Sequence, residues 1–96
     1  MTLRQLIDTL ATLDNGLTIC ASKAPEWSPD SEADLCPSAD VPNKAKLPYF
    51  LEVAIARNVL RAWSFDREGK TPNLEQKCEA IIYYAENDAY LLPDET

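Results

Sequence analysis

The stretch TLRQLIDTLATLDNGLTICA, residues 2–21, decides the fold class. Leucine and isoleucine recur in its first part every three or four residues, which is the spacing of one face of an α-helix. Thr2 and Gln5 have the spacing of an N-terminal capping box. Residues 14–16, Asp-Asn-Gly, favour a helix end because Asn and Gly accept left-handed backbone. We therefore predict an amphipathic helix over residues 2–14.

Three short apolar segments predict strands. Residues 17–21 follow the turn and contain β-branched side chains, which favours a first strand. Residues 32–36 alternate acidic and apolar side chains, which is typical of an edge strand. Residues 49–53 have the aromatic and β-branched content of a strand, but they run directly into a helical pattern. This third segment is either a strand or the start of a helix.

Two further helices are predicted in the C-terminal half. Residues 54–66 place apolar side chains on one broad face, and Gly69 is a natural terminator. Thr71 and Pro72 have the order that opens helices, and a helical apolar stripe runs on to residue 88. We predict a single α+β domain over residues 1–96, with an N-terminal helix, a small antiparallel sheet of two to three short strands and two C-terminal helices.

The charge of the chain is strongly acidic. Sixteen acids stand against nine bases among 96 residues, which gives a formal net charge of −7. Nucleic-acid binding requires Lys and Arg at the phosphates, so this balance disfavours it. A basic subset in the C-terminal half is expected to form ion pairs with Glu52, Asp66, Glu75 and Glu79. Its members are Arg57, Arg61, Arg67, Lys70 and Lys77.

Missing residue types argue against an enzyme. The chain has no histidine, which removes the hydrolases that use a histidine base and the histidine-based zinc sites. Its only glycines, Gly16 and Gly69, cannot build a phosphate-binding loop. The cysteines, Cys20, Cys36 and Cys78, are expected to be reduced and packed. We expect no catalytic residues, no metal, no cofactor, no contact with membranes or nucleic acid, and a cytoplasmic location.

The segment from Glu26 to Asp40 contains five acids and no base. A carboxylate pair for acid–base catalysis and a calcium loop are both disfavoured, because the chain is short and the segment contains no glycine. Trp27 lies among the acids and is either an interface anchor or a plug for the core. We predict that this segment contacts a basic protein partner through Glu26, Trp27, Asp30, Glu32, Asp34 and Asp40.

Three stretches carry a family resemblance. Residues 3–7 (LRQLI), 27–31 (WSPDS) and 49–54 (YFLEVA) resemble small acidic bacterial proteins, some of which are similar to the immunity proteins of polymorphic or contact-dependent toxin systems. The resemblance implies a protein that protects its own cell by binding one toxin, and it assigns no functional residue. Many such toxins are basic nucleases, and acidic side chains can occupy the site of their phosphates.

Two hypotheses for function follow. The first is an immunity protein that binds and neutralises a cognate toxin. The alternative is a small adaptor or regulatory subunit that uses the apolar stripe from Leu74 to Ala89, or Tyr83 and Tyr84, as a helical interface. The immunity protein is expected to be a monomer, whereas the adaptor can form a homodimer.

Overall fold

The fold is a three-stranded sheet with helices on one face, and it confirms the α+β prediction. The computed structural model describes residues 1–23, 26–37 and 47–93. The sequence begins with helix α1 and a 3₁₀ turn, continues through strands β1, β2 and β3, and ends with helices α2 and α3. Helix α1 spans Leu3–Asp8 and the 3₁₀ turn Leu10–Thr12. Strand β1 spans Thr18–Ala21, β2 Ala33–Cys36 and β3 Tyr49–Glu52. Helix α2 spans Val53–Asp66 and α3 Leu74–Asn87.

The sheet is antiparallel, with the strand order β2-β1-β3. Ile19 lies opposite Leu35 on one side and opposite Leu51 on the other. The central position of β1 leaves β2 at an edge, as its alternating pattern predicts. The segment that allowed two interpretations is a strand through Glu52, and α2 begins at Val53 without an intervening loop.

The helices cover the face of the sheet that carries Ile19 and Leu51. One buried cluster contains these side chains together with apolar residues of all three helices. Phe50 and Trp63 are its largest buried aromatic side chains, exposed by 1% and 6% respectively. The buried residues of the first helical segment are Leu3, Leu6, Ile7 and Leu10, so the predicted apolar stripe does face the core.

Helix α1 is shorter than the predicted helix over residues 2–14. The predicted capping box is present, since Thr2 and Gln5 exchange hydrogen bonds. The α-helix ends at Asp8 because the Thr9 hydroxyl donates to the carbonyls of Gln5 and Leu6, at 3.3 and 3.1 Å. Such side-chain bonds compete with the helical pattern and favour a bend. A single 3₁₀ turn then carries the chain towards β1.

The sequence predicts the end of α2 better than the start of α3. Gly69 adopts φ 81° and its N–H donates to the Ser64 carbonyl at 2.7 Å, so it terminates α2 as expected. Helix α3 instead begins later than predicted. Its N-cap is Asn73, which forms a capping box with Gln76, and not Thr71. The Asn73 side chain satisfies a backbone donor that Thr71 is too far back to reach.

Candidate functional site

A short turn organises the middle of the acidic segment. The hydroxyl of Ser31 accepts a hydrogen bond from the Ser28 N–H at 2.9 Å, and that of Ser28 accepts one from the Asp30 N–H at 3.2 Å. A backbone bond from Ser31 to Ser28 closes the turn at 3.0 Å. Serine favours such turns because its hydroxyl reaches backbone groups two or three residues away. The turn presents Asp30 to solvent.

The start of the chain holds this turn in place. The N–H groups of Leu3 and Arg4 donate to the carbonyls of Ser31 and Pro29, both at 2.8 Å. The N–H of Ala33, the first residue of β2, donates to the Met1 carbonyl at 2.7 Å. The first N–H groups of a helix lack partners within the helix, so the turn satisfies donors that α1 leaves open. The turn at residues 28–31 therefore has a defined position against α1.

Trp27 packs on the core and also reaches the surface. Its ring meets Phe50 edge-on, with 4.9 Å between the ring centroids, and its indole N–H donates to the Ala21 carbonyl at 3.1 Å. The ammonium of Lys23 lies 4.4 Å from the centroid of the indole ring. Trp27 is half-buried, so part of it fills the core, and it also lines two surface depressions. The core plug and the interface anchor therefore both stay open for this side chain.

The first depression, here named the loop groove, has a volume of about 440 Å³. Three of the predicted interface acids line it, namely Glu26, Asp30 and Glu32. Trp27 and the serines of the turn complete its wall. The structure thus brings four of the six predicted contact residues to one place, and the three carboxylates are exposed.

The second depression, here named the helix groove, lies on the other side of Trp27 and also has a volume of about 440 Å³. Helix α3 supplies three acids and two apolar side chains to it. These residues are Glu75, Glu79, Ile82, Tyr83 and Glu86. Trp27 and Ser28 line both grooves, so the two depressions form one continuous acidic surface with apolar side chains in it.

The acids of α3 are functional candidates that the sequence argument missed. Glu75 and Glu79 were expected to neutralise bases. The sequence does contain a pattern that places these acids together. Intervals of four, three and four residues separate Glu75, Glu79, Ile82 and Glu86. Residues at that spacing share one face of a helix. What the sequence did not show is that this face lies beside Trp27.

Arg4 is the cation at the centre of this surface. Its guanidinium contacts the Asp30 carboxylate at 2.5 Å and the Glu75 carboxylate at 3.1 Å. Hydrogen bonds to Glu75 and Asp30 raise the pKa of Arg4 above its ordinary value. These are the ion pairs found across residues 1–23, 26–37 and 47–93, so Glu26, Glu32, Glu79 and Glu86 form none within those ranges.

Two predicted contact residues lie apart from the grooves. Asp34 is half-buried in β2, where its carboxylate accepts a hydrogen bond from the Leu35 N–H at 2.8 Å. Asp34 lines neither groove. Asp40 lies outside the described residues.

The arginines of α2 and its C-cap do not form the ion pairs expected of them within the described ranges. Arg61 donates instead to the Asn58 side chain. Arg57 donates to the carbonyls of Leu10, Ala11 and Leu13, and so satisfies the open end of the 3₁₀ turn. The guanidinium of Arg67 covers the Trp63 ring at 4.3 Å and donates to the Trp63 carbonyl. Backbone carbonyls replace the predicted carboxylate partners of these two side chains.

A third depression lies away from the acidic surface, and we do not assign it as the site. It has a volume of about 590 Å³ and lies between α1, α2 and α3, with Arg57, Arg61 and Lys77 at its rim. Arg57 is engaged by the 3₁₀ turn, and the rim also contains Asp8. Arg61 and Lys77 are then left to meet a phosphate, with Asp8 beside them, whereas six carboxylates line the acidic surface, so this depression is the weaker candidate.

The described ranges contain neither a metal-ligand cluster nor a membrane-spanning helix. The acids and cysteines found there do not gather into a cluster of three or more that can hold a metal ion. None of the helices described is long and apolar enough to cross a bilayer.

Comparison with known proteins adds no assignment. The chain matches no protein-family model, no curated protein and no solved structure. The case for function therefore rests on the geometry of the acidic surface.

Proposed function

We propose that this chain is an immunity protein that binds and neutralises a basic toxin domain through the loop groove and the helix groove. The observation that carries the proposal is the position of Trp27 between two acid-lined depressions. A large aromatic side chain surrounded by carboxylates combines apolar area for affinity with charge for steering. The resemblance to immunity proteins is consistent with this arrangement.

The charge of the surface identifies the chemistry of the partner. Six carboxylates line the two grooves, from Glu26, Asp30, Glu32, Glu75, Glu79 and Glu86. Two cations offset only part of this charge: Arg4 pairs with Asp30 and Glu75, and the Lys23 ammonium lies over the Trp27 ring. A partner rich in Lys and Arg, such as the active cleft of a nuclease, gains favourable electrostatic energy at this surface. The inhibitor needs no catalysis and no cofactor for this role, and it acts in the cytoplasm.

The proposal is tested by protection from a toxin. The probe is the C-terminal domain of a secreted protein encoded beside this chain, expressed from an inducible promoter in a sensitive bacterial host. Co-expression of the chain is expected to restore growth, and the purified pair is expected to form a one-to-one complex by calorimetry. Growth arrest despite normal levels of the chain, together with no measurable complex, would exclude the proposal.

Matched charge reversals locate the interface. Glu79→Lys and Glu86→Lys change exposed side chains of the helix groove, whereas Asp66→Lys makes the same change at an exposed position that lines neither groove. The groove variants are expected to slow association about tenfold or more at low salt, and the control is expected to associate at the original rate. Equal effects of all three variants would show that net charge alone, and not this surface, governs binding.

The adaptor hypothesis now depends on a different residue. The stripe from Leu74 to Ala89 supplies Cys78 and Ile81 to the buried core, and Tyr84 packs against Tyr90 with 5.3 Å between ring centroids. Phe65 on α2 is 86% exposed, which makes it the better apolar anchor for an adaptor. Sedimentation of the chain and of Phe65→Ser tests this alternative: a dimer that the substitution dissociates would favour it, and a monomer in both cases would not.

A further inference from the structure

The cysteines of β1 and β2 form a close pair. The sulfur atoms of Cys20 and Cys36 are 3.2 Å apart, although the two cysteines are sixteen positions apart in sequence. The register explains the contact: Thr18 lies opposite Cys36 and Cys20 opposite Asp34, so the two cysteines are diagonal neighbours on adjacent strands. Diagonal side chains on one face of an antiparallel pair are within reach of each other.

The pair lies on the face of the sheet opposite the helices. Side chains alternate along β1, so Ile19 and Ala21 enter the helical core while Cys20 points to the other face. Both thiols are nevertheless buried, Cys20 being 5% exposed and Cys36 1%. Cys78 belongs to the helical core instead. The sheet therefore lies between Cys78 and the pair formed by Cys20 and Cys36.

We propose that Cys20 and Cys36 form a reversible disulfide when the protein meets a peroxide. One thiol reduces the peroxide, which converts that cysteine to a sulfenic acid and releases water. The neighbouring thiol then attacks the sulfenic sulfur, a sulfur–sulfur bond forms, and a second water leaves. The two cysteines lose two electrons and two protons in total, and the peroxide gains both. A dithiol reductant reverses the change by thiol–disulfide exchange.

The bond would enclose the loop groove. Residues 21–35 lie between the two cysteines, and they contain Glu26, Trp27, Asp30 and Glu32. Cross-linking the ends of a segment removes conformations from the unfolded chain and so stabilises the folded one. Because β2 is an edge strand, its local opening gives a small peroxide access to the buried sulfurs. This inference stands on the sulfur geometry and does not rest on the proposed toxin partner.

The sequence makes the experiment unambiguous. Trypsin cleaves after Lys23, Lys44 and Lys77, which places the three cysteines in the separate peptides 5–23, 24–44 and 78–96. The reduced full chain is treated with hydrogen peroxide, remaining thiols are blocked with N-ethylmaleimide, and the digest is analysed by mass spectrometry without reductant. We expect a link between peptides 5–23 and 24–44, at about tenfold or greater excess over any link to 78–96, that dithiothreitol removes.

Variants and a stability measurement complete the test. Cys78→Ala is expected to keep the link, and Cys20→Ala and Cys36→Ala to lose it. Since these two substitutions can also weaken the fold, the unsubstituted chain is measured separately, and oxidation is expected to raise its urea midpoint by about 1 M or more. Sulfinic or sulfonic acids on unlinked peptides, links between chains only, or an unchanged midpoint after cross-linking would overturn the proposal.

Discussion

At the scale of single residues, Trp27 connects the core to the candidate site. Its indole N–H satisfies the Ala21 carbonyl at the end of β1, and its ring meets Phe50 edge-on. The outer part of the same side chain lines both acidic grooves. Substitutions here therefore alter stability and binding together, and the two effects have to be measured separately.

Replacing Trp27 in two steps separates its contacts. Trp27→Phe keeps an aromatic ring against Phe50 but leaves the Ala21 carbonyl without its indole donor, which is expected to lower the free energy of unfolding by about 1 kcal/mol. Trp27→Leu also removes the edge-on aromatic contact, which is expected to cost about 0.5–1.5 kcal/mol more. Urea unfolding measures both variants. Equal stability of the two would show that the ring contact contributes nothing.

The buried thiol of Cys78 makes stability depend on alkaline pH. Burial, with a smaller effect from Glu75, raises the pKa of Cys78 above its ordinary value of 9.0. The unfolded chain therefore releases this proton at a lower pH than the folded chain, so stability is fully present below the ordinary pKa and is lost as the pH rises through it. We expect the free energy of unfolding to fall between about pH 8 and pH 10, with a limiting slope of about 1.4 kcal/mol per pH unit for this proton.

A substitution isolates the contribution of Cys78. Cys78→Ala leaves a small cavity and so lowers the stability at every pH, but its free energy of unfolding is expected to fall less steeply above about pH 8. The slopes are compared by urea unfolding across the pH range in the presence of reductant. Identical slopes for the two proteins would assign the alkaline loss to other groups, such as Tyr49, whose pKa is also raised by burial.

At the scale of elements, the start of α3 shows what a cap contributes. Asn73 accepts the Gln76 N–H at 2.8 Å, whereas Thr71 lies before the helix and is exposed. Asn73→Ala is expected to lower the free energy of unfolding by about 1 kcal/mol. Thr71→Ala is the matched control and is expected to change it by less than about 0.5 kcal/mol. A larger loss of stability in Thr71→Ala than in Asn73→Ala would show that Thr71 is the N-cap, as the sequence alone predicted.

The elements that the sequence predicts well are those whose signals are local. Apolar periodicity within α1 and α2, the β-branched content of β1, the alternation in β2 and the glycine after α2 correctly indicate the type and order of these elements, whereas the composition of residues 49–53 left a strand and a helix start both open. The end of α1 was misplaced because it depends on Thr9 bending the helix and on Arg57 satisfying carbonyls 44 or more residues away. Side-chain contacts between residues so far apart in sequence produce no repeating pattern from which they could be predicted.

The candidate site was predictable only in part, for the same reason. Glu26, Trp27, Asp30 and Glu32 are near one another in sequence, and they meet in the loop groove. The acids of α3 join them only because Arg4 and the backbone of α1 place the turn at residues 28–31 beside that helix. The sequence contained the acidic face of α3, but nothing in it indicated which loop that face meets.

At the scale of the whole molecule, six of the sixteen acidic side chains lie on one surface. Six carboxylates line the connected grooves, and Arg4 pairs with two of them. Like charges held together on a surface repel one another in the folded state. A partner that neutralises them therefore relieves this repulsion as it binds.

Added salt is expected to stabilise the free protein. Raising NaCl from about 0.01 M to about 1 M shortens the Debye length from about 30 Å to about 3 Å and so screens repulsion among the carboxylates. We expect Tm to rise by about 4 °C or more, the shift that about 1 kcal/mol produces in a domain of this size. Glu79→Gln removes one groove carboxylate and is expected to reduce the salt effect. A Tm that falls with salt would show that ion pairs outweigh repulsion.

The two tryptophans also give the molecule an optical reporter of its own. Trp27 is half-buried at the acidic surface beneath the Lys23 ammonium, whereas Trp63 is 6% exposed beneath Arg67. A ligand that covers the grooves would exclude solvent from the first indole and shift its fluorescence emission towards the blue. The second indole would keep its emission and serve as an internal reference, so that a titration can be followed without attaching a dye.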